Sequence, residues 1–105
     1  MTFTNVIVNE IITYKFFIDK HRMKNMFINK TKDGLNNICG KNIARLRIEL
    51  KISQRELADR MQLVGIDIDK NAIQRIECGK RFVTDIEIIA FAKIFNVSFE
   101  NLLLG

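Results

Sequence analysis

Two short stretches decide the fold of this chain: residues 52–58, which read ISQRELA, and residues 72–81, which read AIQRIECGKR. Ser53 and Glu56 in the first stretch have the spacing of a capping box, in which each side chain accepts a hydrogen bond from the other residue's backbone N–H. Because this motif satisfies N–H groups that a helix leaves free at its start, it predicts a helix over about 54–62, called helix two.

The second stretch carries an amphipathic pattern that predicts helix three, over about 70–78. Asp69 is a suitable N-cap, and Gly79 can take the left-handed conformation that ends a helix. Ile73 and Ile76 share one face and are expected to be buried. The residues expected on the other faces are polar: Lys70, Asn71, Gln74 and Arg75.

The flanking segments predict three further helices, which makes the fold class all-α. Helix one is expected over about 41–51. Its expected buried residues are Ile43, Leu46 and Leu50. A second capping box at Thr84 and Glu87 predicts helix four over 85–95. Its expected buried residues are Ile88, Ile89, Ala92 and Phe95. Ser98 can cap a short fifth helix.

The composition fits one small domain with a basic surface. The chain has 105 residues, 48% of them apolar, which suffices for one modest core and leaves little room for an enclosed active site. Lys and Arg number 17 against 12 Asp and Glu. The resulting net charge of +5 favours nucleic acid or another anionic surface as the partner.

The sequence contains no pattern that indicates catalysis or metal binding. His21 is the only histidine, and Cys39 and Cys78 have neither metal-ligand nor redox spacing. We find no paired carboxylates, no nucleophile beside a base and no glycine-rich phosphate loop. The sequence therefore predicts a protein that is not an enzyme and that needs no cofactor. Cysteines outside a disulfide framework favour a reducing cytoplasm as its location.

Residues 1–40 differ in composition and are expected to form an N-terminal arm, whereas the domain is assigned to 41–105. The apolar run over 6–18 is too short and interrupted to span a membrane, and it lacks the basic start of a signal peptide. Two interpretations stay open. Either the segment is an arm that packs on the domain or on a second copy, or part of it is translated upstream sequence.

The two quoted stretches resemble the lambda-repressor-like, or Xre-type, helix-turn-helix family. So do the segments around them, IARLR at 43–47 and IAFA at 89–92. The resemblance covers 41–105 and includes five helices in the family's order. One departure is a longer connection between helices two and three. Gln62 stands where the family often has Gly, and the loop has about five extra residues. The residues expected to bury and pin this loop are Leu63, Ile66 and Ile68.

The resemblance implies that helix three enters the major groove of DNA. The base contacts implied are Lys70, Asn71, Gln74 and Arg75. Asn and Gln can pair with adenine, and Arg and Lys with guanine. The phosphate contacts implied are Gln54, Lys80 and Arg81. The alternative for all of these is an ordinary solvated polar surface.

Other residues are expected to hold the helices in place. Arg47 and Glu77 resemble the family's buried ion pair between helices one and three. Ala58 is the small residue where helices two and three cross. Ser53, Glu56 and Gly79, which cap and end helices, complete this structural set.

These expectations favour a sequence-specific transcriptional regulator that binds double-stranded DNA as a homodimer. A repressor is the first interpretation of its role. The family makes its dimer contact near helix five, and this end of the chain is apolar. Its residues are Phe99, Leu102, Leu103 and Leu104. The alternative is an antitoxin or another protein-binding module on the same fold. No small-molecule ligand and no membrane contact is evident.

Overall fold

The structure, a computed structural model, describes residues 29–105. This range contains five helices. They are α1 (Gly40–Glu49), α2 (Gln54–Leu63), α3 (Lys70–Glu77), α4 (Asp85–Phe95) and α5 (Phe99–Leu104). No strand occurs in this range, so the all-α prediction is confirmed. None of these helices is long and apolar enough to cross a membrane. The interpretations of 1–28 lie outside the described residues.

Side-chain caps explain where the last four helices begin. Each of these helices follows a side chain that accepts a hydrogen bond from the backbone N–H three residues later. The caps are Ser53, Asp69, Thr84 and Ser98. The box at Thr84 is complete, because its own N–H donates to Glu87 Oε1 (3.0 Å). The capping box predicted at Ser53 also requires the Glu56 carboxylate to accept from the N–H of Ser53. That part of the prediction is wrong, since this carboxylate accepts from Arg60 instead (2.9 Å).

The core lies between the helices and is built from large apolar side chains. Ile73 and Ile76 of α3 are fully buried, as the sequence predicts. The other large apolar side chains with essentially no exposure are Ile43, Leu57, Met61, Phe91 and Leu102. Removing one such side chain from water contributes about 1.5–3 kcal/mol, so this cluster is the main source of stability.

The end of α1 differs from the prediction because the chain turns early. Leu50 was expected in the core but is 45% exposed. α1 ends at Glu49, and Lys51 adopts a left-handed conformation with φ 60°. Ile52, after this turn, is buried at 8% exposure and takes the place expected for Leu50.

The buried face of α4 is rotated from the predicted stripe. Phe91 and Phe95 stack with their ring centroids 6.3 Å apart, and Glu87, one turn before Phe91, is only 7% exposed. Ile89, which was expected to be buried, is 46% exposed. In this orientation Phe91 and Phe95 are buried, and the carboxylate of Glu87 is bonded to Arg81 (2.9 Å).

The longer connection between α2 and α3 is pinned, although by fewer residues than predicted. Leu63 is 86% exposed, so its predicted burial is wrong. The side-chain amide of Gln62 donates to the carbonyl of Ile68 (3.0 Å), and Ile68 itself is 5% exposed. Gly65 supplies the positive φ of 92° that the turn requires. The helix pair therefore stays together despite the extra residues.

Residues 30–39 run along the C-terminal end of α3 and are called the strap below. Cys39, at the end of the strap, is 1% exposed, and burial raises the pKa of its thiol to about 11. Packing in the domain therefore begins before position 41, where the sequence placed the boundary.

Asn37 in the strap joins three parts of the backbone. Its Oδ1 accepts from the N–H of Gly40 (2.8 Å), which starts α1. Its Nδ2 donates to the carbonyls of Ile76 in α3 (3.0 Å) and Arg81 beyond it (2.8 Å). This single amide fixes the start of α1 against the end of α3.

Replacing Gly40 with Ala should destabilise the domain. A Cβ at Gly40 would overlap the carbonyl oxygen of Ile76, so α1 and α3 would have to move apart. We expect the free energy of unfolding, measured by urea denaturation, to fall by about 1–3 kcal/mol.

Gly65→Ala is the matched control. No atom lies within 4 Å of the position that a Cβ would take at Gly65, so only the positive φ opposes the substitution, at about 1 kcal/mol. An unfolding free energy for Gly40→Ala equal to that of the parent would contradict the close approach of α1 and α3.

Candidate nucleic-acid interface

The four residues predicted to contact bases lie together on the exposed side of α3. The opposite side of this helix is buried through Ala72, Ile73 and Ile76, which are 6% exposed or less. The exposed residues are Lys70, Asn71, Gln74 and Arg75. Their i, i+1, i+4, i+5 spacing places them on one face. α3 therefore presents a continuous row of hydrogen-bonding groups to solvent.

α2 and α3 meet at a small side chain. Ala58 of α2 is 3% exposed and borders a shallow depression together with Asp59. Lys70 and Asn71, at the start of α3, border the same depression. A larger side chain at position 58 would force the two helices apart, and the exposed face of α3 would move with them.

A mostly buried ion pair joins α1 to α3. Arg47 Nε donates to Glu77 Oε2 (2.7 Å), and Arg47 Nη2 donates to Glu77 Oε1 (3.1 Å). The two side chains are 16% and 8% exposed. Arg47 Nη1 also donates to the carbonyl of Ile52 (2.9 Å), in the turn before α2. One guanidinium therefore fixes three elements relative to each other.

Gln54, predicted to contact a phosphate, has a second partner in the structure. Its Nε2 donates to Glu77 Oε1 (2.9 Å), so the start of α2 is tied to the same carboxylate. A carboxamide nitrogen carries two N–H groups, and one of them remains to donate to an anion. The sequence did not indicate this bond to Glu77, because the two residues lie on different helices.

The two cations after α3 have different surroundings. Lys80 is exposed, whereas Arg81 donates to both carboxylate oxygens of Glu87 (each 2.9 Å). This bidentate bond raises the pKa of Arg81. Burial opposes ionisation of Glu87, but the bonds from Arg81 and Thr84 outweigh it and hold the pKa of Glu87 below its usual value. Arg81, predicted to contact phosphate, is thus engaged within the fold.

The described range from 29 to 105 offers no site for a metal ion. No group of three or more His, Cys, Asp or Glu side chains is placed to hold one there. Cys39 is a buried free thiol and Cys78 an exposed one at the end of α3.

Sequence reasoning missed Asn36, Asn37 and Glu87. Asn37 precedes the start of α1 by three residues, which is a spacing that could have indicated a cap. Its other partners, the carbonyls of Ile76 and Arg81, are far away in sequence and leave no local signal. Glu87 was interpreted only as half of a capping box.

A family model described as helix-turn-helix matches residues 43–102, which is more than half of the chain. The matched segment contains α2, α3 and α4 completely, together with most of α1 and α5. It leaves the strap outside. No curated protein and no solved structure matches the chain.

Arg47→Ala should be strongly destabilising, because it leaves the Glu77 carboxylate buried without its cation. We expect a loss of about 3–5 kcal/mol in the free energy of unfolding, measured by urea denaturation. The double variant Arg47→Met/Glu77→Leu removes both charges and should lose clearly less than the single variant.

Arg45→Ala is the control for this measurement. It removes an exposed ion pair with Glu49 (3.2 Å), in which the side chains are 47% and 60% exposed, and it should cost less than about 1 kcal/mol. Similar losses for the Arg45 and Arg47 variants would show that the buried pair does not hold α1 to α3.

Proposed function

Because the chain belongs to the lambda-repressor-like helix-turn-helix family of DNA-binding proteins, we propose that it is a sequence-specific transcriptional regulator that acts as a repressor. The observation that supports this proposal is the exposed polar face of α3, opposite a fully buried apolar face. In this mechanism α3 enters the major groove, and the bound protein excludes other proteins from the same DNA.

The residues proposed to contact bases are Lys70, Asn71, Gln74 and Arg75. Lys70 and Asn71 lie in the first turn of α3, which is the part of a recognition helix that reaches base edges. The amides of Asn71 and Gln74 can each donate to and accept from one adenine, whereas Arg75 can donate twice to a guanine. These pairings would give the protein its sequence preference.

Two of the predicted phosphate contacts keep that role in the proposal. Gln54 lies at the start of α2, where free backbone N–H groups and the helix dipole favour an anion, and Lys80 is exposed in the loop after α3. Arg81 is assigned instead to holding this loop, because its charge is paired with Glu87 in a bidentate bond.

A second copy of the chain is proposed to pack against the end formed by α4 and α5. Phe99 is 54% exposed and Leu104 74% exposed, whereas Leu102 is fully buried in the domain's own core. Ile89 of α4 is 46% exposed and borders the same shallow depression as Phe99. A two-fold axis here would place two α3 helices about 34 Å apart along one face of the duplex.

The same exposed apolar residues support a second candidate, a protein-binding module such as an antitoxin. Ile89, Phe99 and Leu104 would then be covered by a different protein. This candidate does not exclude DNA binding through α3. The two candidates differ in what covers the apolar end.

Changes on α3 should alter sequence preference. Gln74→Ala and Arg75→Ala should each lose about 1–3 kcal/mol on a site selected from random duplexes, and preference should relax at one or two base pairs. Fluorescence anisotropy with the selected site and its single-base variants measures both effects. Arg45→Ala, which removes an exposed charge from α1, should keep the parent's ranking of sites. The same ranking in both α3 variants would rule out α3 as the reading element.

Sedimentation with and without the selected duplex should reveal a weak homodimer that the DNA stabilises. Phe99→Ser should weaken this association while leaving α-helical content unchanged, because its side chain is already half-exposed. A selected site without half-site symmetry, bound by one copy, would contradict the homodimer and favour a different protein partner.

A further inference from the structure

Lys30 lies beside the loop that follows α3, although the two are far apart in sequence. Its Nζ donates to Asn36 Oδ1 (3.1 Å). The Nδ2 of the same Asn36 side chain donates to the carbonyl of Lys80 (2.9 Å). One carboxamide therefore connects the Lys30 ammonium to the backbone of the residue proposed to contact phosphate.

The strap holds Asn36 in place through its own backbone and its packing. The N–H of Asn36 donates to the carbonyl of Gly79 (2.7 Å), and the N–H of Thr31 donates to the carbonyl of Leu35 (2.8 Å). Leu35 packs closely on Gly79. A Cβ added at Gly79 would be 2.8 Å from Leu35 Cδ2. These contacts fix Asn36 and the backbone of Thr31, the residue next to Lys30, whereas the bond from the Lys30 ammonium to Asn36 is itself exposed.

The charges around this position favour an anionic partner. Lys30, Lys32 and Lys80 are all exposed, and Asp33 is the one acidic residue of the strap. An ammonium group has three N–H donors, of which Asn36 uses one. Lys30 therefore has donors left for an anion near the backbone of Lys80, to which Asn36 connects it.

We propose that Lys30 is an additional DNA phosphate contact, positioned by Asn36, and that the DNA-binding surface extends onto the strap. This inference rests on the proposed function, because it requires the loop at Lys80 to lie along a DNA backbone. It adds a contact from outside the segment that the family model matches, residues 43–102. A compact charge such as an ammonium binds a phosphate without reading a base, so the contact would raise affinity for every duplex alike.

The test compares salt dependence among variants that each lose one positive charge. Binding of Lys30→Ala, Lys80→Ala and Arg45→Ala to the selected duplex and to an unrelated duplex is measured across a range of NaCl concentrations. The slope of log affinity against log salt is negative, and loss of one phosphate contact reduces its magnitude by about 0.9. We expect this decrease for the Lys30 and Lys80 variants on both duplexes, with the ranking of sites unchanged. Arg45→Ala should keep the parent's slope.

Asn36→Ala tests the positioning role, because it keeps the charge of Lys30 but removes both bonds of the carboxamide. We expect weaker binding in this variant. Lys30→Ala should then reduce the magnitude of the salt slope less in the Asn36→Ala background than in the parent. A full effect of Lys30→Ala in both backgrounds would overturn the role assigned to Asn36. Thermal melting of each variant checks that the fold is retained.

Two results separate this inference from the proposed function. In the first result, the parent binds DNA and Arg75→Ala changes its sequence preference, but Lys30→Ala has the same salt slope as Arg45→Ala. The Lys30 contact is then wrong and the proposed function stands. If the parent binds no duplex, both are wrong.

Discussion

The ion pair between Arg47 and Glu77 is the interaction on which the arrangement of the helices depends. Burying two charges is costly unless close geometry and further hydrogen bonds compensate for the lost water. Here the contacts are short, at 2.7 Å and 3.1 Å, and Gln54 and the carbonyl of Ile52 satisfy further groups. The pair joins α1 to the end of α3, and the bond from Gln54 to the same carboxylate ties in the start of α2, so one carboxylate links all three helices.

The strap provides a second anchor at the same end of α3. Asn37 bonds the carbonyl of Ile76, and Gly40 allows α1 to approach that carbonyl more closely than any side chain would permit. Both anchors act on the last turn of α3. At its first turn the helix is held by the Asp69 cap and by its apolar face. The exposed side of the first turn is therefore left open to solvent, as insertion into a DNA groove requires.

The sequence predicted those features that depend on neighbouring residues. The caps at Asp69 and Thr84 and the positive φ angles of Gly79 (78°) and Asn96 (55°) are local, because each depends on the backbone a few residues away. The end of helix α3 and the full extent of helix α4 could therefore be predicted.

The features that sequence reasoning missed depend on contacts between distant segments. Helical periodicity predicted that Ile89 is buried, and the capping pattern assigned Glu87 only a cap. Neither pattern contains information about the ion pair between Arg81 and the Glu87 carboxylate. Leu63 was predicted to be buried from its apolar character, but the tie between Gln62 and Ile68 closes the loop without it. For the candidate site, the exposed row on α3 followed from its helical spacing. The Arg47–Glu77 pair came only from the family resemblance.

Lys80 and Arg81 show why neighbouring cations need not have the same role. The planar guanidinium of Arg81 matches a carboxylate in a bidentate bond, which is a geometry that an ammonium cannot form. Its charge is offset by Glu87 within the fold. Lys80 is then the exposed cation of this loop, and one charge gives limited affinity for a polyanion. Because the net charge of the chain is only +5, a strong DNA interface needs its cations gathered on one side. Under the proposed function, the strap, which packs against the end of α3, would add the charge of Lys30 to this interface without adding one to α3.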